Sequence, residues 1–290
     1  MSLERCPEPA AAARWCAARR TQGATLGFVP TMGALHEGHL TLVERARREC
    51  DAVVVSVFVN PLQFNDPRDY ERYPRDLEGD ARLLAGAGAA LLFSGTLAQF
   101  FPEAGPDGRV PLRTPGPSAQ GLEGEFRPGH FAGVATICAR LFELVRPARA
   151  YFGAKDFQQC RVVTELAAEL GFPEVVVCPT SRDKDGLARS SRNQLLTSDD
   201  RREALALSRA LFAARAAFQA GERRAAALEQ LLARELARGR VEVEYAVVRD
   251  PARLSELPRE PLGAARALIA ARVGRVRLID NLDLAREDGA

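Results

Sequence analysis

The most constraining feature of this chain is a series of short, uninterrupted runs of β-branched and apolar residues, each followed by a longer amphipathic stretch. TLGFV at 25–29, AVVVSVFV at 52–59, AALLF at 89–93, RAYF at 149–152 and EVVVC at 174–178 are the runs. None alternates apolar with polar positions, so both faces of each strand must be covered. Helical patterns lie between them, at about 75–84, 132–145 and 155–170, and in HLTLVERARREC after the first run. Strands buried on both faces and separated by helices predict a parallel sheet with helices on either side.

After residue 180 the pattern changes. Two charged amphipathic helices, at about 198–220 and 222–238, precede VEVEYAVV, ARALIAARV and RVRLI, in which apolar and polar positions alternate. That alternation predicts half-exposed antiparallel strands. The expected fold class is α/β, a Rossmann-like doubly wound parallel sheet at 1–180 with a second, smaller α+β domain at 181–290. A Pro/Gly-rich segment at 102–128 reads as irregular, and the residues before Thr25 receive no role.

Composition excludes several function classes. A net charge of +2 gives no reason to expect nucleic acid or an anionic membrane surface as partner. No apolar run approaches the roughly 20 residues that span a bilayer, and the N-terminus lacks the uninterrupted apolar core of a signal peptide. The six cysteines are scattered without a C-x-x-C pair, as expected of free thiols in a reducing cytoplasm. Of 40 basic residues only Lys155 and Lys184 are lysines, and His36, His39 and His130 are the three histidines.

In an open parallel sheet, ligands bind beyond the carboxyl ends of the strands, and four polar clusters fall there. In PTMGALHEGH, residues 30–39, Gly33 permits a tight turn and Gly38 lets backbone approach a ligand where a helix begins. That helix N-terminus offers N–H groups suited to phosphate, with His36 and His39 three residues apart. A zinc pair would need further ligands, and only His130 remains among the histidines. Asn60 and Gln63 follow the second strand in FVNPLQF, with amides able to bind a hydroxyl or carboxylate. In YFGAKDFQQC, Gly153 ends a strand, Lys155 and Asp156 open a helix, and Gln159 lies one turn on. DGLARSSRN, residues 185–193, has the composition of a mobile loop that clamps phosphates.

In this order and spacing, PTMGALHEGH, VNPLQF, RPGHFAGV, FGAKDFQQ, DGLARSSRN and the terminal RVRLIDNL resemble the pantothenate synthetases, which are pantoate–β-alanine ligases of the nucleotidyltransferase superfamily. The resemblance runs from about residue 20 to 284. It implies a cytoplasmic homodimer with a C-terminal lid domain, taking ATP, Mg²⁺, pantoate and β-alanine, and forming a pantoyl adenylate before pantothenate. It implies that Met32, Gly33, Ala34, Leu35, His36, Glu37, Gly38 and His39 bind ATP, with His39 the proton donor and His36 its phosphate-binding companion. Gln63, Gln159 and Asn60 would hold pantoate. Gly153, Ala154, Lys155 and Asp156 would hold ribose and phosphate, Lys155 with a catalytic share. Ser181, Arg189, Ser190, Ser191 and Arg192 would close over the triphosphate, Asp80 is a candidate near the metal, and His130 reads as structural.

The chain departs from the family pattern at Arg189, where methionine is usual, and at Ala154, where glutamate is usual. Both changes predict a more positive pocket and tighter nucleotide binding. They also leave room for a nucleotide-binding relative impaired in catalysis. Another nucleotidyltransferase of the superfamily would leave VNPLQF and FGAKDFQQ without a role.

Overall fold

A computed structural model describes residues 3–104, 108–254, 256 and 258–286. The chain divides into two compact units, Met1–Gly153 with Gln158–Cys178, and Ala154–Phe157 with Pro179–Ala290. Residues 105–107 of the expected irregular segment, and residues 1 and 2, lie outside the described residues.

In the first unit the apolar runs become strands of one parallel sheet. These are β1 (Glu4–Cys6), β2 (Leu26–Thr31), β3 (Ala52–Val57), β4 (Leu91–Phe93), β5 (Arg149–Gly153) and β6 (Glu174–Cys178), in the order β1-β4-β3-β2-β5-β6. The helices are α1 (Pro9–Thr21), α2 (Glu37–Glu49), α3 (Pro67–Arg72), α4 (Leu77–Ala87), α5 (Leu97–Phe100), α6 (Glu123–Phe126), α7 (His130–Val145) and α8 (Phe157–Leu170). The Rossmann-like class expected from the runs is the one observed.

Covered strands explain the missing polar alternation, because successive side chains enter two different cores. Phe28, Val54, Leu91, Phe93, Ala150 and Phe152 pack on one side with residues of α1, α7 and α8. Val29, Val53, Val55, Leu92 and Tyr151 pack on the other with Leu42, Val43 and Ala46 of α2 and Ala81 and Leu84 of α4. Val53, Val54 and Val55 are at most 1% exposed; each such side chain contributes roughly 1.5–3 kcal/mol by leaving water.

The strand order reverses between β2 and β5, which makes their carboxyl ends the topological switch point. The ladder there is short. β2 pairs with β3 from Leu26 to Thr31, but with β5 only at Gly27↔Arg149 and Phe28↔Ala150. Pro30 lacks an N–H to continue it. The two strands therefore part as they approach their carboxyl ends.

The N-terminal residues, given no role from sequence, supply the edge strand β1, which pairs with β4, and helix α1, whose Ala12 and Cys16 are fully buried. A strand of three residues that reads ERC carries too little apolar signal to be recognised.

The second unit contains α9 (Ser198–Gln219), α10 (Ala225–Leu236) and the antiparallel strands β7 (Glu242–Arg249), β8 (Arg266–Val273) and β9 (Val276–Asp283), in the order β7-β8-β9. Leu207, Leu211, Leu228, Leu232, Ile269 and Leu278 belong to its core. This is the smaller α+β arrangement expected from the alternating patterns. Among the described residues, no helix is long and apolar enough to cross a membrane.

Candidate active site

In the first unit, the polar clusters after β2 and β3, and Gly153 at the end of β5, mark the carboxyl ends of three adjacent strands. The loop after β2 turns sharply. Gly33 has φ +85° and Ala34 has φ +50°, and a Cβ at Gly33 would lie 2.9 Å from both Asp80 Oδ2 and Val57 Cγ1. Only glycine fits there. The left-handed pair turns two successive N–H groups toward one carboxylate, the nest geometry that suits an anion. Asp80 Oδ2 accepts from Ala34 N at 3.0 Å and Oδ1 from Leu35 N at 2.7 Å. Asp80 is 2% exposed; burial pushes its carboxyl above the usual range, against the pull of the two N–H groups. The position expected near the metal has both oxygens engaged in shaping this loop.

The turn delivers His36 to the N-cap of α2. His36 Nδ1 accepts from Gly38 N at 3.2 Å, and His39 Nδ1 accepts from His36 N at 3.3 Å, so two imidazoles perform the reciprocal cap usually made by Ser or Thr with Glu. Their ring centroids are 4.1 Å apart. A ring nitrogen that accepts an N–H carries no proton, so each neutral imidazole holds its proton on Nε2. The arrangement gives two Nε2–H donors at the positive end of a helix.

Gln63 is set by RPGHFAGV. It ends a 3₁₀ turn over Pro61–Gln63 that Asn60 caps, Oδ1 accepting from Leu62 N at 3.2 Å. Asn60 Nδ2 donates to Gln63 Oε1 at 3.0 Å and to the Gly133 carbonyl at 3.2 Å. That orients the Gln63 amide so that Nε2 points to Met32 Sδ, 3.3 Å away. His130 Nδ1 bonds the Gln63 carbonyl at 2.9 Å, and Arg127 adds a longer bond at 3.4 Å. Gly133 lets α7 approach, since a Cβ there would sit 2.1 Å from the Leu62 carbonyl oxygen. Gln159, on the first turn of α8, is partly buried. Its neighbour Gln158 is consumed by Glu123 N and by the Ser118, Gln120 and Gly121 carbonyls.

In the second unit, Ala154–Asp156 forms a 3₁₀ turn, with Lys155 Nζ 3.6 Å from Asp156 Oδ1. Residues 181–189 form a hairpin that overlaps the stretch 185–193, read from composition as a mobile loop. Arg189 N donates to the Ser181 carbonyl and Asp183 N to the Leu187 carbonyl, each at 2.9 Å, with Gly186 at φ +93°. Ser190 caps the next 3₁₀ turn, its Oγ accepting from Arg192 N at 3.2 Å, and Ser191 is buried.

The hairpin gives Arg189, where a more positive pocket is expected, an acidic neighbour. The Arg189 Nε donates to Asp183 Oδ1 at 2.8 Å, while Arg201 holds Asp183 Oδ2 at 2.8 Å. Burial pushes the Asp183 carboxyl up, but the bonds from Arg201 and Arg189 outweigh it and hold it below the usual range. The added cation is thus matched by an ionised partner. Sequence reasoning gave Asp183 no role, yet the Asp-Gly at 185–186 was a hairpin signal that would have paired the residues on either side of it. Among the described residues, no group of three or more His, Cys, Asp or Glu could hold a metal ion.

A family model described as pantoate–β-alanine ligase matches residues 5–283. A pantothenate synthetase from Rubrobacter xylanophilus is 50% identical over 280 residues, covering 93% of this chain and 94% of that one. The crystal structure of pantothenate synthetase from Thermus thermophilus is similar with a TM-score of 0.88 at 46% identity, covering 97% of this chain and 99% of that one. That of a pantoate–β-alanine ligase from Francisella tularensis, complexed with β-γ ATP and β-alanine, is similar with a TM-score of 0.77 at 30% identity, covering 99% of each.

Proposed function

The chain belongs to the pantoate–β-alanine ligase family, and from that premise we propose how its own residues divide the reaction. The enzyme joins pantoate to β-alanine at the expense of ATP. A carboxylate oxygen of pantoate attacks the α-phosphorus and displaces pyrophosphate. The β-alanine nitrogen then attacks the acyl carbon, the bond from that carbon to the AMP oxygen breaks, and the amine gives up a proton.

The paired histidines capping α2, where β2 and β5 part, are the observation that carries this reading. Charge grows on phosphate oxygens as pyrophosphate leaves, and Nε2–H groups of His36 and His39 at a helix N-terminus stabilise it there. His39, the expected donor, keeps its Nε2 proton and offers it as a hydrogen bond to the departing phosphate oxygens. Met32, Gly33, Ala34, Leu35, Glu37 and Gly38 supply the main chain along which ATP lies. Gln63 and Gln159 bind pantoate, with the Gln63 amide held by Asn60; Asn60 itself orients rather than binds. In the second unit, Lys155 and Asp156, with Gly153 preceding them, take ribose and phosphate, and Ser181, Ser190, Ser191 and Arg192 take the triphosphate. Arg189 serves the hairpin through Asp183.

Mg²⁺ enters as part of the substrate MgATP. The occupied oxygens of Asp80 do not suit a resident ion, and Mg²⁺ is commonly held largely by substrate phosphates and water. The six free cysteines support a cytoplasmic enzyme, and we assign it the homodimeric state implied by its family resemblance. Purified protein tests the assignment: AMP should be released only when ATP, pantoate and β-alanine are all present. AMP formation indifferent to pantoate overturns it, and an absence of AMP points to a relative that binds nucleotide without turnover.

A further inference from the structure

The terminal motif RVRLIDNL carries family resemblance but has no part in the chemistry described above. Within the second unit, its Asp280 and Asn281 are each 3% exposed, although both are polar and lie on a strand of an apolar core. Each side chain reaches a different distant segment. Asn281 Nδ2 donates to the main-chain carbonyls of Ala154 at 2.9 Å and Lys155 at 2.8 Å. Its Oδ1 accepts from Arg266 Nη1 at 2.6 Å, and the Arg266 guanidinium lies 3.8 Å from the centre of the Phe157 ring. Residues 154–157 are thus gripped through both main chain and side chain.

Asp280 grips the hairpin. Its carboxylate takes Arg182 as a fork, Nη1 to Oδ2 at 2.7 Å and Nη2 to Oδ1 at 3.0 Å. Arg182 also donates to the Gly186 carbonyl inside the hairpin and to the Asn281 carbonyl, each at 3.2 Å. The Asn281 N–H returns to Asp280 Oδ1 at 2.7 Å, which ties the two grips together. A buried ion pair is a poor way to gain stability, since well-packed apolar residues often serve as well or better. What the polar pair adds is a fixed orientation for the groups it holds.

We propose that Asp280 and Asn281 are positioning residues for nucleotide binding: Asn281 fixes the main chain from which Lys155 projects, and Asp280, through Arg182, fixes the hairpin that leads into Ser190, Ser191 and Arg192. The proposal rests on the assignment of Lys155 to the nucleotide. Neither residue touches substrate, so removing one acts through the group it holds.

The test is a double-mutant cycle of Asn281→Ala and Lys155→Ala, read as kcat and KM for ATP and for pantoate, with a thermal melt of each variant. Asn281→Ala should lower kcat/KM for ATP about tenfold and leave KM for pantoate within about twofold. Because Asn281 acts through Lys155, the double variant should be no more than about twofold worse than Lys155→Ala alone, a failure of additivity expected only of coupled sites. Losses that multiply, or ATP and pantoate parameters that worsen together in step with the melting temperature, overturn the proposal. If Lys155→Ala leaves ATP kinetics unchanged, the assignment of Lys155 fails and the proposal with it; if only the cycle is additive, the Lys155 assignment stands and the Asn281 proposal falls. Should Asn281→Ala not fold, Asn281→Asp keeps the volume and the acceptor for Arg266 while replacing the two N–H donors. It should show the same split between ATP and pantoate, and an unsplit response overturns the proposal.

Discussion

Asp80 accepts the main-chain N–H of Leu35 at 2.7 Å, and its other oxygen accepts that of Ala34 at 3.0 Å. One buried carboxylate on α4 therefore fixes both peptides of the left-handed turn that delivers His36 and His39 to the start of α2. An amide cannot do this, because it offers one acceptor oxygen and turns an NH₂ toward the second N–H. Leaving a buried donor unpaired costs about 1–3 kcal/mol. Expressed at the histidines, that range corresponds to a fall of roughly 5- to 150-fold in kcat/KM for Asp80→Asn. Steady-state kinetics across a Mg²⁺ titration separates loop shaping from metal binding. Raising Mg²⁺ should restore nothing, whereas full recovery would return Asp80 to the metal.

His39 joins the cap to the chemistry, and two variants separate them. His39→Ala should slow pyrophosphate release in a single turnover by about 10²–10⁴-fold, and should lower the melting temperature through loss of the cap. His39→Asn keeps an acceptor for the His36 N–H without the Nε2–H. It should melt closer to the wild type yet remain slow. A rate within about threefold of wild type for His39→Ala would reduce His39 to a capping residue.

His130 holds the carbonyl of Gln63, so its effect should be confined to pantoate. His130→Ala keeps the longer bond from Arg127 to that carbonyl and should raise KM for pantoate about threefold to tenfold, the range of a weakened hydrogen bond. KM for ATP should stay within about twofold of the wild type, roughly the limit of a measurable difference. Equal increases in both would show that His130 supports the whole fold rather than the Gln63 turn.

The Asp183 carboxylate, held by Arg201 and Arg189, makes a prediction about acid. The folded-state carboxyl of Asp183 titrates lower than an unfolded aspartate, so its contribution to stability is complete above about pH 4. It is lost as pH falls through the depressed folded value. Urea melts between neutral pH and about pH 3 should therefore show a shallower acid slope for Asp183→Asn than for the wild type. Identical slopes would mean that the bonds from Arg201 and Arg189 to Asp183 contribute nothing.

The strands were legible because burial on both faces removes polar alternation, and Val53, Val54 and Val55 announce that directly. That the polar clusters lie at strand ends followed from Gly33, Asn60 and Gly153, whereas the switch point between β2 and β5 needed the strand order. What stayed hidden depends on contacts between positions far apart in sequence. Asp80 reads as a candidate near the metal until its two oxygens are seen on Ala34 and Leu35. Arg189 reads as a new positive charge until Asp183 is found beside it. Asn281 lies 127 positions from Ala154, and no periodicity or spacing connects the two. Edge strand β1 escaped for a different reason: its three residues, ERC, carry too little apolar signal to mark a strand.

The central claim is that pantoate is activated as an acyl adenylate at the histidine-capped loop, and the fate of one oxygen tests it most directly. With pantoate labelled by ¹⁸O in its carboxylate, attack on the α-phosphorus followed by displacement by β-alanine must leave one labelled oxygen in AMP. Mass spectrometry of the products should find that label in AMP at one atom per pantothenate formed. Unlabelled AMP, or label carried into inorganic phosphate, would contradict the account.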